Sequence, residues 1–421
     1  MSAQIAIVGA GYVGLPLAVA FAEAGREVVC VDTDRAKVEA INAGKSYIED
    51  VAGDTLAELV GQRRLRASAD PAVCAEADAI LLCLPTPLST NREPDLSILE
   101  AAARELAKHL RPGQLIVLES TTYPGTTREV LAPILERSGH VAGRDFHLAM
   151  SPERIDPGRT DWTVKTTPKV VGGLTPACTE RAVELYSAFA DRLVPVSSCE
   201  AAELTKLLEN IFRSVNIALV NELAMLCHRM GLDVWEVVSA AATKPYGFMP
   251  FTPGPGLGGH CLPIDPFYLS WKAREYDFPV EFIELAGKVN QHMPYYCAER
   301  IAQALNDHAK AVRGSSILIL GVSYKSNVGD LRESPALKLI ELLRGAGAKV
   351  SYHDPHVPSL APEAIDLESV ELADETLHGA DVVCIVTAHA AVDHARVAEQ
   401  ARLVVDFRNA IPERSEKVVA L

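Results

Sequence analysis

The 421-residue chain has no uncharged apolar run of eighteen residues, no CxxC pair and only three tryptophans. The first absence excludes a membrane-spanning helix. The second, with nine cysteines scattered at no regular spacing, suits a reducing cytoplasm better than a disulfide-stapled secreted fold. No basic segment with a small-residue cleavage site follows Met1, as a secretory leader requires. A positive excess is missing too. The net charge of −15 leaves no basic footprint for nucleic acid or a membrane surface, although a few local Arg and Lys side chains can still hold a phosphate. The expectation is a cytoplasmic protein with no nucleic-acid partner and no membrane partner, and an anionic small-molecule substrate stays open.

What is present is 48% hydrophobic and 23% charged, with length for two or three domains. The first 35 residues predict a strand at 4–8, a glycine turn, a helix at about 15–24 and a second strand at 27–32. Apolar runs at 79–84, 115–118 and 169–171 alternate with helical stretches such as 96–110, which predicts a parallel, doubly wound α/β sheet. From Cys199 the pattern changes. Apolar residues recur densely through 204–226, predicting one long, largely buried helix, followed by a Pro/Gly-rich loop over 244–266 and a helix near 282–290. Alternation resumes at Ser315, with strands at 317–320, 349–352, 381–387 and 403–406 and a helix at 335–346. The expected architecture is two Rossmann-like doubly wound parallel-sheet domains, 1–198 and 301–421, joined by an all-α region over 199–300.

Gly9-Ala10-Gly11-Tyr12-Val13-Gly14 fits GxGxxG between a strand and a helix, and Asp32 ends the next strand eighteen residues beyond Gly14. Such glycines permit a tight turn and close backbone approach to a pyrophosphate, which then sits on the helix N-terminus. Asp32 would accept from ribose hydroxyls and repel a 2′-phosphate, favouring NAD over NADP. FAD or a bare nucleotide shares the fingerprint. Thr86, in the Pro85-Thr86-Pro87 turn at the strand's carboxyl edge, is a candidate cofactor contact or simply a turn residue.

Lys206, Asn210 and Arg213 recur at i, i+4 and i+7 in an otherwise apolar helix and so share a face. Buried polar groups there need partners; snorkelling or an internal ion pair would serve as well as a ligand. The segment from Pro253 to Pro266 carries four glycines and four prolines, excluding a helix or a central strand. A backbone so shaped approaches something closely. Cys261 within it reads as a nucleophile or as an inert loop thiol, with Asp265 four residues on able to orient or activate it. His260 would point away from its neighbour in an extended loop and is taken as structural.

These motifs together resemble the UDP-glucose/GDP-mannose dehydrogenase family. The resemblance runs in order through the N-terminal GAGYVG turn, Glu119-Ser120-Thr121-Thr122, Ser151-Pro152-Glu153-Arg154, Lys206…Asn210, the Gly-Gly-His-Cys loop with Asp265, and Tyr324 through Pro335. Within the family, the segments around Glu153 and Cys261 look like the UDP-N-acetylglucosamine 6-dehydrogenase subgroup, with the UDP-N-acetylmannosamine enzymes as near relatives. The resemblance implies oxidation of a UDP-sugar primary alcohol to a carboxylate through a thioester on Cys261, two NAD⁺ consumed per turnover, and no metal.

Carried over by residue, it implies that Lys206 and Asn210 stabilise the oxyanion and hold a water. Asp265 would assist the thiol and the water, and Thr121 and Glu153 would complete the hydrolytic water network. NAD⁺ would be contacted by Gly9, Gly11, Tyr12, Val13, Gly14, Asp32, Lys37, Thr86, Thr121 and Arg332. The nucleotide sugar would meet Arg154, Ile155, Lys206, Asn210, Arg213, Gly258, Tyr324, Lys325 and Arg408, and the middle helices would pair two subunits.

Two departures point away from plain UDP-glucose. Pro157, with Asp156 just before it, stands where glucose-specific members carry a second glutamate, and Lys244-Pro245-Tyr246 replaces their cross-dimer arginine. The expected substrate is therefore an N-acetylated UDP-hexosamine, first of all UDP-N-acetylglucosamine. UDP-N-acetylmannosamine or UDP-glucose, a two-electron alcohol dehydrogenase, and a non-catalytic nucleotide-sugar-binding protein are the alternatives.

Overall fold

Ile5-Ala6-Ile7, at the heart of the first strand, is wholly buried, as an apolar run covered by helices on both faces must be. The computed structural model describes residues 4–48, 50–89, 91, 93–154, 161–259, 262–413 and 415–421. The chain divides into two compact units, Met1–Glu209 with Phe267–Phe278, and Asn210–Pro266 with Pro279–Leu421.

The first unit is built on an eight-stranded sheet: β1 (Gln4–Val8), β2 (Glu27–Val31), β3 (Leu65–Ser68), β4 (Ala79–Leu82), β5 (Leu115–Leu118), β6 (His147–Met150), β7 (Lys169–Gly173) and β8 (Leu193–Val196). Their order is β3-β2-β1-β4-β5-β6-β7-β8. Every pairing is parallel except one. β6 and β7 run antiparallel, with Ala149 opposite Gly173 and Met150 opposite Gly172. A parallel return needs a crossover element, usually a helix, and none is found among the described residues between these strands. The expectation of a wholly parallel sheet is corrected to that extent.

The second unit carries β9 (Ser316–Leu320), β10 (Lys349–His353), β11 (Val382–Ile385), β12 (Val404–Asp406) and β13 (Val418–Ala420), all parallel in the order β10-β9-β11-β12-β13. The strands that composition did not reveal are short or lie at edges. β3 buries only Leu65 and Ala67 fully, and β8 carries Pro195, which only an edge or a strand end tolerates.

The helix over Cys199–Met230 is 32 residues long, about 48 Å at 1.5 Å per residue. It is not largely buried, as its apolar density suggested. Leu204, Leu208, Phe212, Leu219, Leu223, Leu226 and Met230 form a stripe of large exposed side chains at helical spacing, with Leu208 63% exposed. Apolar residues occur on several faces of this helix, and the other described residues cover only part of them. The helix expected near 282–290 instead runs from Glu281 to Asp307, straight through a buried Pro294.

Candidate active site

At the first turn the glycines are set by close approach. Gly9 has φ +96°, and a Cβ there would lie 2.3 Å from the Cys83 carbonyl oxygen; at Gly14 it would lie 1.8 Å from the Gly9 carbonyl oxygen. Among the described residues a Cβ on Gly11 would meet nothing within 4 Å, so this side of the turn is open to a ligand. Asp32 Oδ2 accepts the Ala10 N–H at 2.9 Å, and Lys37 Nζ stands 3.7 Å from the same oxygen. Tyr12 is exposed, and Val13 precedes the Gly14–Glu23 helix. Tyr47, which sequence reasoning missed, donates its hydroxyl to the Ala10 carbonyl at 2.6 Å; burial, then Cys30, Asp32 and Asp34, push its pKa up and keep it a donor. The open Gly11 side, the following helix and the acid at the end of β2 fit NAD.

Beyond β4, the Thr86 hydroxyl donates to the Thr121 carbonyl at 2.7 Å, and the Tyr268 hydroxyl donates to the Thr86 carbonyl at 2.7 Å. Thr86 spends its only proton inside the protein and keeps Oγ1 as an acceptor.

Past β5, β6 and the start of β7 lies a charged cluster. Lys169 Nζ is 2.9 Å from Glu119 Oε2 and 3.6 Å from Glu153 Oε2, and the Tyr186 hydroxyl donates to Glu119 Oε1. Burial pushes the Glu119 carboxyl up to about 7; Lys169 opposes this and Glu153 adds to it. Burial pulls Lys169 down, but the Glu119 and Glu153 charges outweigh it and leave the ammonium above its ordinary value. Glu153 Oε1 accepts the Arg154 N–H at 2.6 Å. Arg154 itself grips Glu209 at 2.6 Å and the Pro168 carbonyl at 2.7 Å. Lys169 and Tyr186 were missed by sequence reasoning, and Glu119 was noted only as part of a motif. The available signal was a charge abutting an apolar strand run: Glu119 directly after Leu115–Leu118, Lys169 directly before Val170-Val171.

On the long helix Lys206 and Asn210 are buried, one turn apart, whereas Arg213 is exposed, so the three do not share one environment. Asn210 Nδ2 donates to the buried Asp265 Oδ2 at 2.5 Å. The glycine-rich loop is shaped by contacts within the second unit. A Cβ on Gly258 would lie 2.5 Å from Tyr324 Cβ, and one on Gly254 would lie 2.5 Å from Arg408 Nη1. Gly259, at φ +85°, donates to the Arg332 carbonyl at 2.9 Å. Gly254 donates to Asn221 Oδ1 at 2.9 Å, Asn221 to Asn290 Oδ1 at 3.0 Å, and Asn290 to the Ser214 carbonyl at 3.0 Å, an amide relay the sequence did not disclose. Lys244 lies over the exposed Tyr246 ring at 5.1 Å. Cys261, His260, Ile155, Asp156 and Pro157 lie outside the described residues.

The second sheet repeats the first turn without its sequence. Gly321, at φ +79°, donates to the His353 carbonyl at 2.9 Å, and Asp354 Oδ2 accepts the Val322 N–H at 2.7 Å. His389 Nε2 lies 3.0 Å from that oxygen, and its Nδ1 accepts the Asn327 N–H at 3.0 Å, which requires the ring unprotonated at Nδ1. Asp354 is thereby buried and sealed. The segment between carries the half-buried Tyr324 and Lys325, while the exposed Arg332 is clamped to Asp330 at 2.6 Å. Arg408 Nε donates to the Val386 carbonyl at 2.8 Å, and burial lowers its pKa.

Fold and turn define a dinucleotide-binding protein. The chain belongs to the UDP-glucose/GDP-mannose dehydrogenase family, matching its NAD binding domain over residues 3–190, its central domain over 200–292 and its UDP binding domain over 318–413. It is 38% identical over 418 residues to an NDP-N-acetyl-D-galactosaminuronic acid dehydrogenase of Ralstonia nicotianae, covering 96% of this chain and 95% of that one. It is 35% identical over 417 residues to a UDP-N-acetyl-D-mannosamine dehydrogenase of Pyrococcus horikoshii, covering 97% and 96%. The solved structure of a UDP-D-ManNAc dehydrogenase from Pyrococcus horikoshii superposes with a TM-score of 0.91 at 33% identity, covering 99% of this chain and 98% of that one. The activity is NAD-dependent oxidation of a UDP-sugar. No helix among the described residues is long and apolar enough to cross a membrane.

Proposed function

We propose that the enzyme oxidises a UDP-N-acetylhexosamine at C6 to the uronic acid through a thioester on Cys261. The carrying observation is the buried Asn210–Asp265 hydrogen bond, which fixes a carboxylate four residues after that cysteine. The other eight cysteines support the assignment by contrast. All are buried, and burial raises the thiol pKa of Cys30, Cys74, Cys83, Cys199, Cys297 and Cys384, disabling them as nucleophiles.

NAD⁺, when bound at the Gly9–Gly14 turn with Asp32, Lys37, Thr86, Thr121 and Arg332 as further contacts, supplies a hydride acceptor for each oxidation. Cys261 adds to the C6 aldehyde, giving a tetrahedral carbon that still carries a hydrogen and can be oxidised again. Lys206 and Asn210 hold the C6 oxygen as negative charge develops on it. Asp265 orients the thiol and water. Thr121 and Glu153 hold the water that releases the acid. Arg154, Ile155, Arg213, Gly258, Tyr324, Lys325 and Arg408 bind the nucleotide sugar. The division of labour follows segments 1–198, 199–300 and 301–421, and the enzyme works in the cytoplasm. The uncovered stripe on the Cys199–Met230 helix supports pairing of two subunits there.

Pro157 and Lys244-Pro245 favour an N-acetylated sugar, and the names of the relatives support that class. UDP-N-acetylglucosamine remains the choice from sequence, with the manno- and galacto- epimers as competitors. A panel of these three and UDP-glucose with NAD⁺, ranked by kcat/KM, tests the reading. UDP-glucose turned over fastest would overturn it.

A further inference from the structure

The single antiparallel pair in the first sheet has a chemical consequence. In β6 and β7, Met150 faces Gly172. Extending that register past Met150 sets Lys169 opposite Glu153, and the two side chains lie 3.6 Å apart. Had β7 run parallel, its first residue would stand at the far end of the sheet, away from the carboxyl edge where Glu153 and Thr121 follow β6 and β5. The reversal delivers one buried cation to that edge.

Lys169 is 5% exposed, and its ammonium is shared between Glu153 and the fully buried Glu119. The charged and titratable groups around it are Glu119 after β5, Glu153 after β6, Cys83 after β4, and Tyr186, whose ring lies 4.9 Å below the ammonium. Glu119 is fastened by the Tyr186 hydroxyl and Lys169, and Glu153 by the Arg154 N–H and Lys169. One lysine thus ties a structural carboxylate to the carboxylate of the hydrolytic network.

We propose that Lys169 is a positioning residue that aims Glu153 during release of the acid. This rests on the reading of Glu153 as part of that network. In the step concerned, a water oxygen adds to the thioester carbonyl, its proton passes to Glu153, and the C–S bond breaks with the electron pair returning to sulfur. Lys169 acts through Glu153. It fixes where the accepting oxygen stands and balances its charge.

The test compares Lys169→Met, Lys169→Arg and Glu153→Gln in the full chain, using the UDP-sugar turned over best. Lys169→Met is expected to keep the first-turnover NADH burst and NAD⁺ affinity, to hold KM within about threefold, and to lower steady-state kcat about thirtyfold. Intact-protein mass should show an accumulated acyl-enzyme, as for Glu153→Gln, and Lys169→Arg should recover kcat to within about fivefold of wild type. If the methionine variant does not fold, Lys169→Gln carries the same expectation. A lysine variant that accumulates no adduct, or loses burst and steady state in parallel, while Glu153→Gln does accumulate it, overturns the proposal alone. Absence of adduct in Glu153→Gln overturns the reading of Glu153 and the proposal with it.

Discussion

Asp32 and Asp354 occupy the same place in two turns of unlike sequence: each accepts through Oδ2 the backbone N–H that follows a positive-φ glycine, from Ala10 at 2.9 Å and from Val322 at 2.7 Å. Their surroundings divide their roles. Lys37 stands beside Asp32, and the adjoining Gly11 side of its turn is open, whereas Asp354 is sealed by His389 and Ser323. One turn is left able to receive a dinucleotide ribose, while the other is spent on holding the Tyr324–Lys325 segment.

Asp32→Ala should therefore raise KM for NAD⁺ ten- to a hundredfold, the equivalent of about 1.5–3 kcal/mol for hydrogen bonds to a charged group. Calorimetric UDP affinity should not move. A variant with unchanged KM for NAD⁺ would remove Asp32 from the cofactor site.

Gly258→Ala places a methyl group 2.5 Å from Tyr324 Cβ, a contact that backbone must shift to relieve. Loss of UDP affinity by about tenfold or more is expected, on the scale of 1–3 kcal/mol for overpacking. NAD⁺ binding should be retained, and equal loss of both ligands would point to general misfolding instead.

Stability should carry the mark of Glu119. Its carboxyl is pushed from 4.5 to about 7, chiefly by burial, so the folded state holds the proton more tightly than the unfolded state. The associated stability is complete below about pH 4.5 and is lost as pH rises through about 7. Urea unfolding of Glu119→Gln, which cannot ionise, should gain on wild type as pH rises across that window. A pH-independent difference between the two would show that Glu119 is ionised throughout.

The apolar stripe on the Cys199–Met230 helix predicts a second copy of the chain. Leu208→Asp combined with Leu219→Asp should convert a dimer to a monomer in sedimentation velocity, since each charge would be buried unpaired at the interface. A wild-type monomer would contradict the assignment.

Much of the fold was legible where apolar runs and glycine turns were strong: β1, β2, β5 and β9 fall where expected, and Gly9–Gly14 with Asp32 form one turn. The Asn210–Asp265 pair was legible only as two separately named polar residues; their contact joins positions 55 residues apart in sequence. Lys169 was hidden because its importance depends on strand direction, and the antiparallel register of β7 is a tertiary fact that no local period encodes. Long-range partners also hid Asn221 and Asn290, since an asparagine inside a helix looks the same whether it faces water or another amide. The exposed stripe was misread for the converse reason. A helix that is apolar on most faces does not say whether its own chain or another will cover it.

Four-electron oxidation is most directly tested by counting NADH formed per UDP-N-acetylhexosamine consumed, with the sugar limiting and NAD⁺ in excess. Two NADH per sugar, with a uronic acid as product, is the predicted result. One NADH per sugar, with aldehyde or ketone accumulating, would contradict the thioester route through Cys261.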